Sequence, residues 1–129
     1  RIAQMKSMGA NAYRSAHHMP TDELLDICDR IGMFVFDETR RMSSAPQDLE
    51  CLRTMVKHAR NHPSVFLYGI GNEEIFSQHR KETARTTVTM KTEIRKLDPS
   101  RNITSAVVCW NGKERFDNAE QYVDVTKNL

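Results

Sequence analysis

No stretch of this 129-residue chain stays apolar for the roughly 20 residues a bilayer-spanning helix needs, so no membrane association is expected. Charge of one sign is not in excess. The 19 Lys and Arg against 17 Asp and Glu leave a formal +2, too little to draw the chain onto nucleic acid. Arg80, Lys81, Arg85, Lys91, Arg95 and Lys96 are interleaved with acids and read as a solvated helix face. Cysteine is scarce. Cys28, Cys51 and Cys109 lie far apart, are odd in number and have no CxxC or other metal-ligand spacing, which suits reduced packing thiols. Only 5 glycines occur, and none forms a GxGxxG turn or a phosphate loop. Asn102-Ile103-Thr104 matches a glycosylation acceptor but opens an apolar run, so the match is read as chance. The chain begins on Arg1 rather than Met, the form expected of a processed product or a piece of something longer.

What is present is an alternation of helical and extended patterns. Ile2, Met5 and Met8 recur at helical spacing, with Gly9 as the expected C-cap. "NAYRSAH" reads as a strand. Thr21 is placed to cap a helix whose inner stripe would be Leu24, Ile27, Cys28 and Ile31, ended by Gly32. "MFVFDE" is an apolar strand closed by two acids. Ser44 is the cap candidate for the next helix, with Pro46 in its first turn and Leu49, Leu52, Val56 and Ala59 on one face. "NHP" stops that helix, because a residue before proline is pushed away from helical angles. "SVFLYGIGNEE" is a third strand, residues 80–97 a long polar helix, and "NITSAVVCW" a further strand. Asn111-Gly112 marks a turn, residues 117–122 a weak helix, and "VDV" the start of one more strand.

Strands that are apolar along their length and separated by helices imply a parallel sheet covered on both faces. Right-handed crossovers leave an open doubly wound sheet or part of a (β/α)8 barrel. Two features select the barrel: the missing phosphate-binding glycines, and the polar residues gathered after the strands. Those are Arg14, His17 and His18, then Asp37 and Glu38, then Asn72 and Glu73, then Trp110 and Asn111. The C-terminal ends of its strands are where such a barrel builds its site. With no linker composition inside the chain, residues 1–129 read as one piece of one catalytic domain.

Four blocks in order, "MKSMGANAYRSAHH", "ELLDICDRIGMFVFDE", "RNHPSV" and "IGNEE", resemble the central barrel domain of glycoside hydrolase family 2. The likeness runs over about residues 2–101. It implies α/β architecture, a partial (β/α)8 TIM barrel holding about strands 2 to 5 and the start of strand 6. It also implies a retaining exo-glycosidase that hydrolyses a terminal β-linked sugar. Because of the "DETR" form, β-galactosidase is the first reading. β-Glucuronidase, β-mannosidase, an endoglycanase of the same clan, or a non-catalytic truncated carbohydrate-binding fragment are the alternatives. The expected partners are a carbohydrate substrate and the remainder of the parent chain, with no nucleic acid and no membrane.

The resemblance also assigns roles. Glu73 becomes the general acid/base of a retaining pair, whose second carboxylate acts as nucleophile ~5–5.5 Å away. Such an acid must hold its proton near neutral pH, which partial burial or a neighbouring charge provides. Asn72 would hydrogen-bond the sugar 2-hydroxyl, His17 would touch the sugar, and Arg14 would brace the carboxylates. Asp37 and Glu38 would bind substrate or hold the network, and Trp110 would stack on a sugar face. Some members use the Glu of the Asp-Glu pair as a magnesium ligand with a His downstream. Here Thr39, Arg40, Arg41 and Met42 follow instead, so no metal and no cofactor are expected. Tyr68-Gly69 stands where the family has Trp-Ser. The family nucleophile, at the end of strand 7, has no counterpart in residues 1–129, so that polypeptide alone is expected to be inactive and marginally stable.

Overall fold

The structure, a computed structural model, describes residues 1–75, 77, 78 and 80–107. The expected Trp110 contact, the Asn111-Gly112 turn, the 117–122 helix and the "VDV" strand lie outside the described residues.

The element order is α1 (Ile2–Ser7), β1 (Ala12–Arg14), α2 (Asp22–Ile31), β2 (Phe34–Glu38), α3 (Pro46–Ala59), β3 (Val65–Asn72), α4 (Lys81–Leu97) and β4 (Asn102–Ala106). The strands form one parallel sheet in the order β1-β2-β3-β4, each joined to the next through a helix. Sequential order with a helix in every crossover is a segment of a (β/α)8 barrel, whereas a doubly wound sheet reverses its strand order. No described helix is long and apolar enough to cross a membrane.

Local chemistry sets the boundaries. The Thr21 hydroxyl accepts from the Leu24 N–H at the start of α2, and Gly32 ends it in the left-handed conformation at φ 68°. Ser44 does not cap α3. Ala45 holds the N-cap position with no side-chain bond, Pro46 opens the helix, and the Ser43 hydroxyl accepts from the Ala45 N–H instead.

The core lies between the outer face of the sheet and the helices. Val35, Tyr68, Ile70 and Ile103 from the strands meet Leu25, Cys28, Leu52, Met55, Val56, Met90 and Ile94 from the helices. On α2 the buried pair is Leu25 and Cys28, with Leu24 and Ile31 half-buried and Ile27 turned outward. The expected stripe is therefore rotated, because Leu25 takes the inward position that spacing assigned to Ile27. On α4 the inner face begins with Thr83 and Thr87. Both become compatible with burial by donating to backbone carbonyls, Thr83 to Ser77 at 2.6 Å and Thr87 to Thr83 at 2.9 Å. That is why α4 reads as polar in the sequence.

Arg101 ties down the strand entrances. It donates to the carbonyls of Val65, Arg60 and His62 and to the Asp98 carboxylate. Asp98 also accepts from the Tyr68 hydroxyl at 3.0 Å in the buried layer. Burial works against ionisation of Asp98, but Ser100, Arg101 and Tyr68 outweigh it and hold its carboxyl far below the usual range.

Candidate active site

Alternation along β1 and β2 turns Ala12 and Arg14, then Phe34, Phe36 and Glu38, to the inner face of the sheet, and Val35 and Asp37 to the helix side. On β3 the residues paired on that inner face are Leu67 and Gly69. Strict alternation would continue with Gly71 and send Asn72 outward. The ladder between β3 and β4 instead slips between Gly69 and Asn72, with three steps on β3 against two on β4. A bulge re-aims the side chains beyond it. Asn72 thereby comes to the inner side, where its Oδ1 accepts from Arg14 Nη2 at 2.5 Å.

Arg14 is the hub. Its Nε donates to Glu38 Oε2 at 2.8 Å, and its guanidinium carbon lies 5.2 Å from the centre of the Phe36 ring. The other Glu38 oxygen, Oε1, makes a short contact with His17 Nδ1. Since an ionised carboxylate can only accept, Nδ1 carries the proton and Nε2 is left for another partner. Glu38 is 1% exposed, so its charge is compensated by Arg14 and His17 where water cannot reach it. Arg14, His17, Glu38 and Asn72 thus form one connected group drawn from three strand ends.

Glu73 follows directly. It is exposed and sits in the left-handed region at φ 53°, uncommon for a residue with a side chain. Its N–H donates to the Ala106 carbonyl at 2.9 Å and its carbonyl accepts from Ile75 at 2.6 Å, which pins the conformation. A costly backbone angle held by surrounding bonds is characteristic of functional positions. Glu74 is half-buried, and its carbonyl accepts from the N–H groups of Ser77 and Gln78.

Asp37 is not brought into the group. It is fully enclosed on the helix side, and among the described residues neither carboxylate oxygen has a hydrogen-bond partner. Burial pushes its carboxyl up to about 7, and the charge on Glu38 adds to the rise. Its nearest donors, the Glu38 N–H and the Ser15 hydroxyl, pull the other way without reaching bonding geometry. A group with no exposure has no surface to offer a sugar. Both Glu38 oxygens are occupied by Arg14 and His17, and the described residues that could jointly hold a metal lie elsewhere, at Asp26, Asp29 and His62.

Gly69 has a tight steric role. A Cβ there would lie 2.6 Å from the Phe36 ring and 2.7 Å from Glu38 Cβ. Gly69→Ala is expected to destabilise the fold by ~1–3 kcal/mol and to displace Glu38 from Arg14 and His17. Urea unfolding of the variant beside the parent measures this, and an unchanged midpoint would contradict it. The absence of a side chain at Gly69 thereby makes room for Phe36 and Glu38.

A cavity of about 700 Å³ is lined by His18, Met19, Arg40, Arg41, Asp48, Glu50 and Met55 among others. None of Arg14, His17, Glu38, Asn72 and Glu73 lines it, so it is separate from the Arg14 group.

The chain matches the family described as glycosyl hydrolases family 2, TIM barrel domain, over residues 1–48 and 42–128. It is 30% identical over 131 residues to a β-glucuronidase of Canis lupus familiaris, covering 94% of this chain and 19% of that protein. A β-galactosidase of Bacteroides ovatus is 40% identical over 81 residues, but the match covers 54% of this chain and 10% of that protein. Among solved structures, a family 2 glycosyl hydrolase from Bacteroides cellulosilyticus superposes with a TM-score of 0.82 at 32% identity, over 96% of this chain and 17% of that one. A β-galacturonidase from Eisenbergiella tayi superposes with a TM-score of 0.73 at 32% identity, over 82% and 21%. The chain spans about a fifth of the length of the curated β-glucuronidases it matches, 19% of the dog protein. The β-glucuronidases of dog, cat and Chlorocebus aethiops each match over 94% of the chain, whereas the β-galactosidase matches over 54% of it. The first reading as a β-galactosidase therefore gives way to its alternative.

Proposed function

Because the chain belongs to glycoside hydrolase family 2, within its TIM barrel domain, we propose that it supplies the acid/base side of a retaining exo-glycosidase that cleaves β-linked hexuronides. The observation that carries this is the group joined by Arg14: a buried Glu38 held by two cationic or proton-bearing side chains, Asn72 turned inward by the bulge, and Glu73 next in sequence at the strand end.

In the proposed reaction Glu73 gives its proton to the glycosidic oxygen as the bond to the anomeric carbon breaks. A carboxylate contributed by the rest of the barrel forms the glycosyl ester on the opposite face. Glu73, now ionised, takes a proton from the water that hydrolyses the ester, and the anomeric configuration is retained. Asn72 donates through its amide nitrogen to the sugar 2-hydroxyl while its Oδ1 stays on Arg14. That bond orients the amide before substrate arrives, so its strength is available in the transition state. His17 offers Nε2 to a ring hydroxyl. Glu38 touches no sugar in this scheme and instead holds Arg14 and His17 in place.

Two observations favour an acidic sugar. The relatives that cover the chain and are named by substrate act on glucuronides or galacturonides by their names. Arg40 and Arg41 follow Glu38 closely in the sequence, after Thr39, and form no ion pair among the described residues. The test is the full-length enzyme assayed with nitrophenyl β-glucuronide, β-galacturonide, β-galactoside and β-mannoside. A kcat/KM highest on a uronide is expected. Preference for the neutral galactoside would return the assignment to β-galactosidase.

Asn72→Ala is expected to lower kcat more than it raises KM, because the 2-hydroxyl contact grows toward the transition state. Parent and variant should converge on a 2-deoxy substrate. Equal losses on the normal and 2-deoxy sugars would exclude the contact.

A further inference from the structure

The pleat of β3 changes sense at one residue. Gly69 faces the inner side, against Phe36 and Glu38, and Ile70 lies in the core on the helix side. A regular strand would turn Gly71 inward again. The structure turns it outward instead: a Cβ on Gly71 would run into Met42 Cε and come within 3.0 Å of Ser105 Oγ. Met42, from the segment between β2 and α3, is half-buried and packs against the core. Its sulfur lies 3.9 Å from Oγ1 of Thr87, on the buried face of α4, so Met42 stands on the helix side. Ile70 and Gly71 thus face the helix side in succession, and Asn72 returns to the inner side, where it accepts from Arg14.

Space rather than backbone angle requires glycine at this position, because among the described residues the glycines with positive φ are Gly9 and Gly32. Met42 occupies the space a side chain at 71 would take. The Thr87 proton goes to the Thr83 carbonyl at 2.9 Å, so its approach to the sulfur is a packing contact. An unbranched, polarizable thioether suits such an irregular gap. On the far side of the bulge the ladder resumes at Asn72 with Ala106, whose carbonyl accepts from the Glu73 N–H at 2.9 Å. Met42 and β4 therefore bound the bulge between them, and the next two residues it delivers are Asn72 and Glu73. With Gly71 turned inward, the space against Met42 would be unfilled and Asn72 would be carried off Arg14.

We propose that Met42 is a positioning residue for the glycosidase reaction: it wedges the β3 bulge at Gly71 and thereby aims Asn72, and Glu73 after it, at the sugar. This role rests on the parts proposed for Asn72 and Glu73 in catalysis, and adds to them a side chain from another element that touches no substrate. Met42 follows the strand end that carries Glu38 and packs on the strand end that carries Asn72, so it couples the two. Truncating it leaves the bonds of Glu38 to Arg14 and His17 in place and removes what keeps Gly71 outward. A displacement of about 1 Å at a group that meets the reacting centre can cost about 100-fold in rate.

The test uses the full-length enzyme. Met42→Ala is expected to lower kcat by ~10–100-fold with little change in KM. Met42→Leu, which nearly conserves volume, should keep most of the parent activity. The diagnostic quantity is the ratio of kcat/KM on the preferred glycoside to that on its 2-deoxy form, which does not depend on the fraction of enzyme that is folded. Met42→Ala should lower this ratio toward that of Asn72→Ala, and should not lower it further in an Asn72→Ala background. Met90→Ala, the same truncation in the buried face of α4, should keep the parent ratio. A crystal structure of full-length Met42→Ala should show Asn72 withdrawn from Arg14. A parent-like ratio in Met42→Ala, or an equal fall in Met90→Ala, would overturn the wedge. If Asn72→Ala itself keeps the parent ratio, the 2-hydroxyl role fails and the crystal structure decides alone: Asn72 still bonded to Arg14 would overturn the wedge, and Asn72 turned away would uphold it.

Discussion

In the full-length enzyme, Glu73→Gln lowers turnover of a glycoside with a poor leaving group by ~10²–10⁴, the usual worth of general acid–base catalysis. Glutamine matches the shape of glutamate but cannot deliver a proton. Glu73 is exposed and is held through its backbone, by the bonds to Ala106 and Ile75, so the substitution leaves the fold unchanged. The loss shrinks on substrates with good leaving groups, whose oxygen needs little protonation. Azide partly rescues those substrates, because an anionic nucleophile needs no base to activate it. Full activity of Glu73→Gln on an alkyl glycoside would refute the assignment. Unchanged circular dichroism of the variant separates lost chemistry from lost structure.

Asp37→Asn is expected to change how stability depends on pH. In the native state burial, with the charge on Glu38 adding to it, pushes the Asp37 carboxyl up to about 7, whereas the ordinary value is 3.8. Between those two values the folded chain binds more protons than the unfolded one. Stability from this group is therefore full below about pH 4, falls as pH rises toward 7, and is flat beyond. A rise of about three units corresponds to at most about 4 kcal/mol. Asparagine carries no charge to desolvate, so this fall disappears, and the variant gains on the parent as pH increases. Urea unfolding at pH 5 and pH 8 measures it. Parallel changes in parent and variant would show that Asp37 is already ionised in the native state.

Much of the architecture was legible because it follows from local chemistry. Thr21 and Gly32 bound α2 through a hydroxyl acceptor and a left-handed angle, effects that need no tertiary partner. The apolar runs from Phe34 and Val65 announce strands of a parallel sheet, and acids at their ends announce a mouth. Helix faces were harder to read. The α2 stripe turned toward Leu25, and α4 buried Thr83 and Thr87, because threonine hydroxyls can be satisfied by nearby backbone carbonyls and hydropathy patterns do not count that.

At the site the division is sharper. The order of the blocks by itself determined a barrel of this family and marked Arg14, His17, Glu38, Asn72 and Glu73 as strand-end residues, since the backbone direction of a parallel sheet carries every such residue to one rim. Which of them meet was decided only by the tertiary structure. Asp37 and Glu38 are neighbours in sequence, yet the pleat sends one into the helix layer, without a partner among the described residues, and the other onto Arg14 and His17. Asn72 would point away from that group under simple alternation, and the bulge against β4 turns it back. Asp29, His62 and Ser64 converge from separate elements for the same reason. Period and propensity are properties of one segment, whereas register, bulges and the approach of a helix to a loop depend on the partner against which the segment packs.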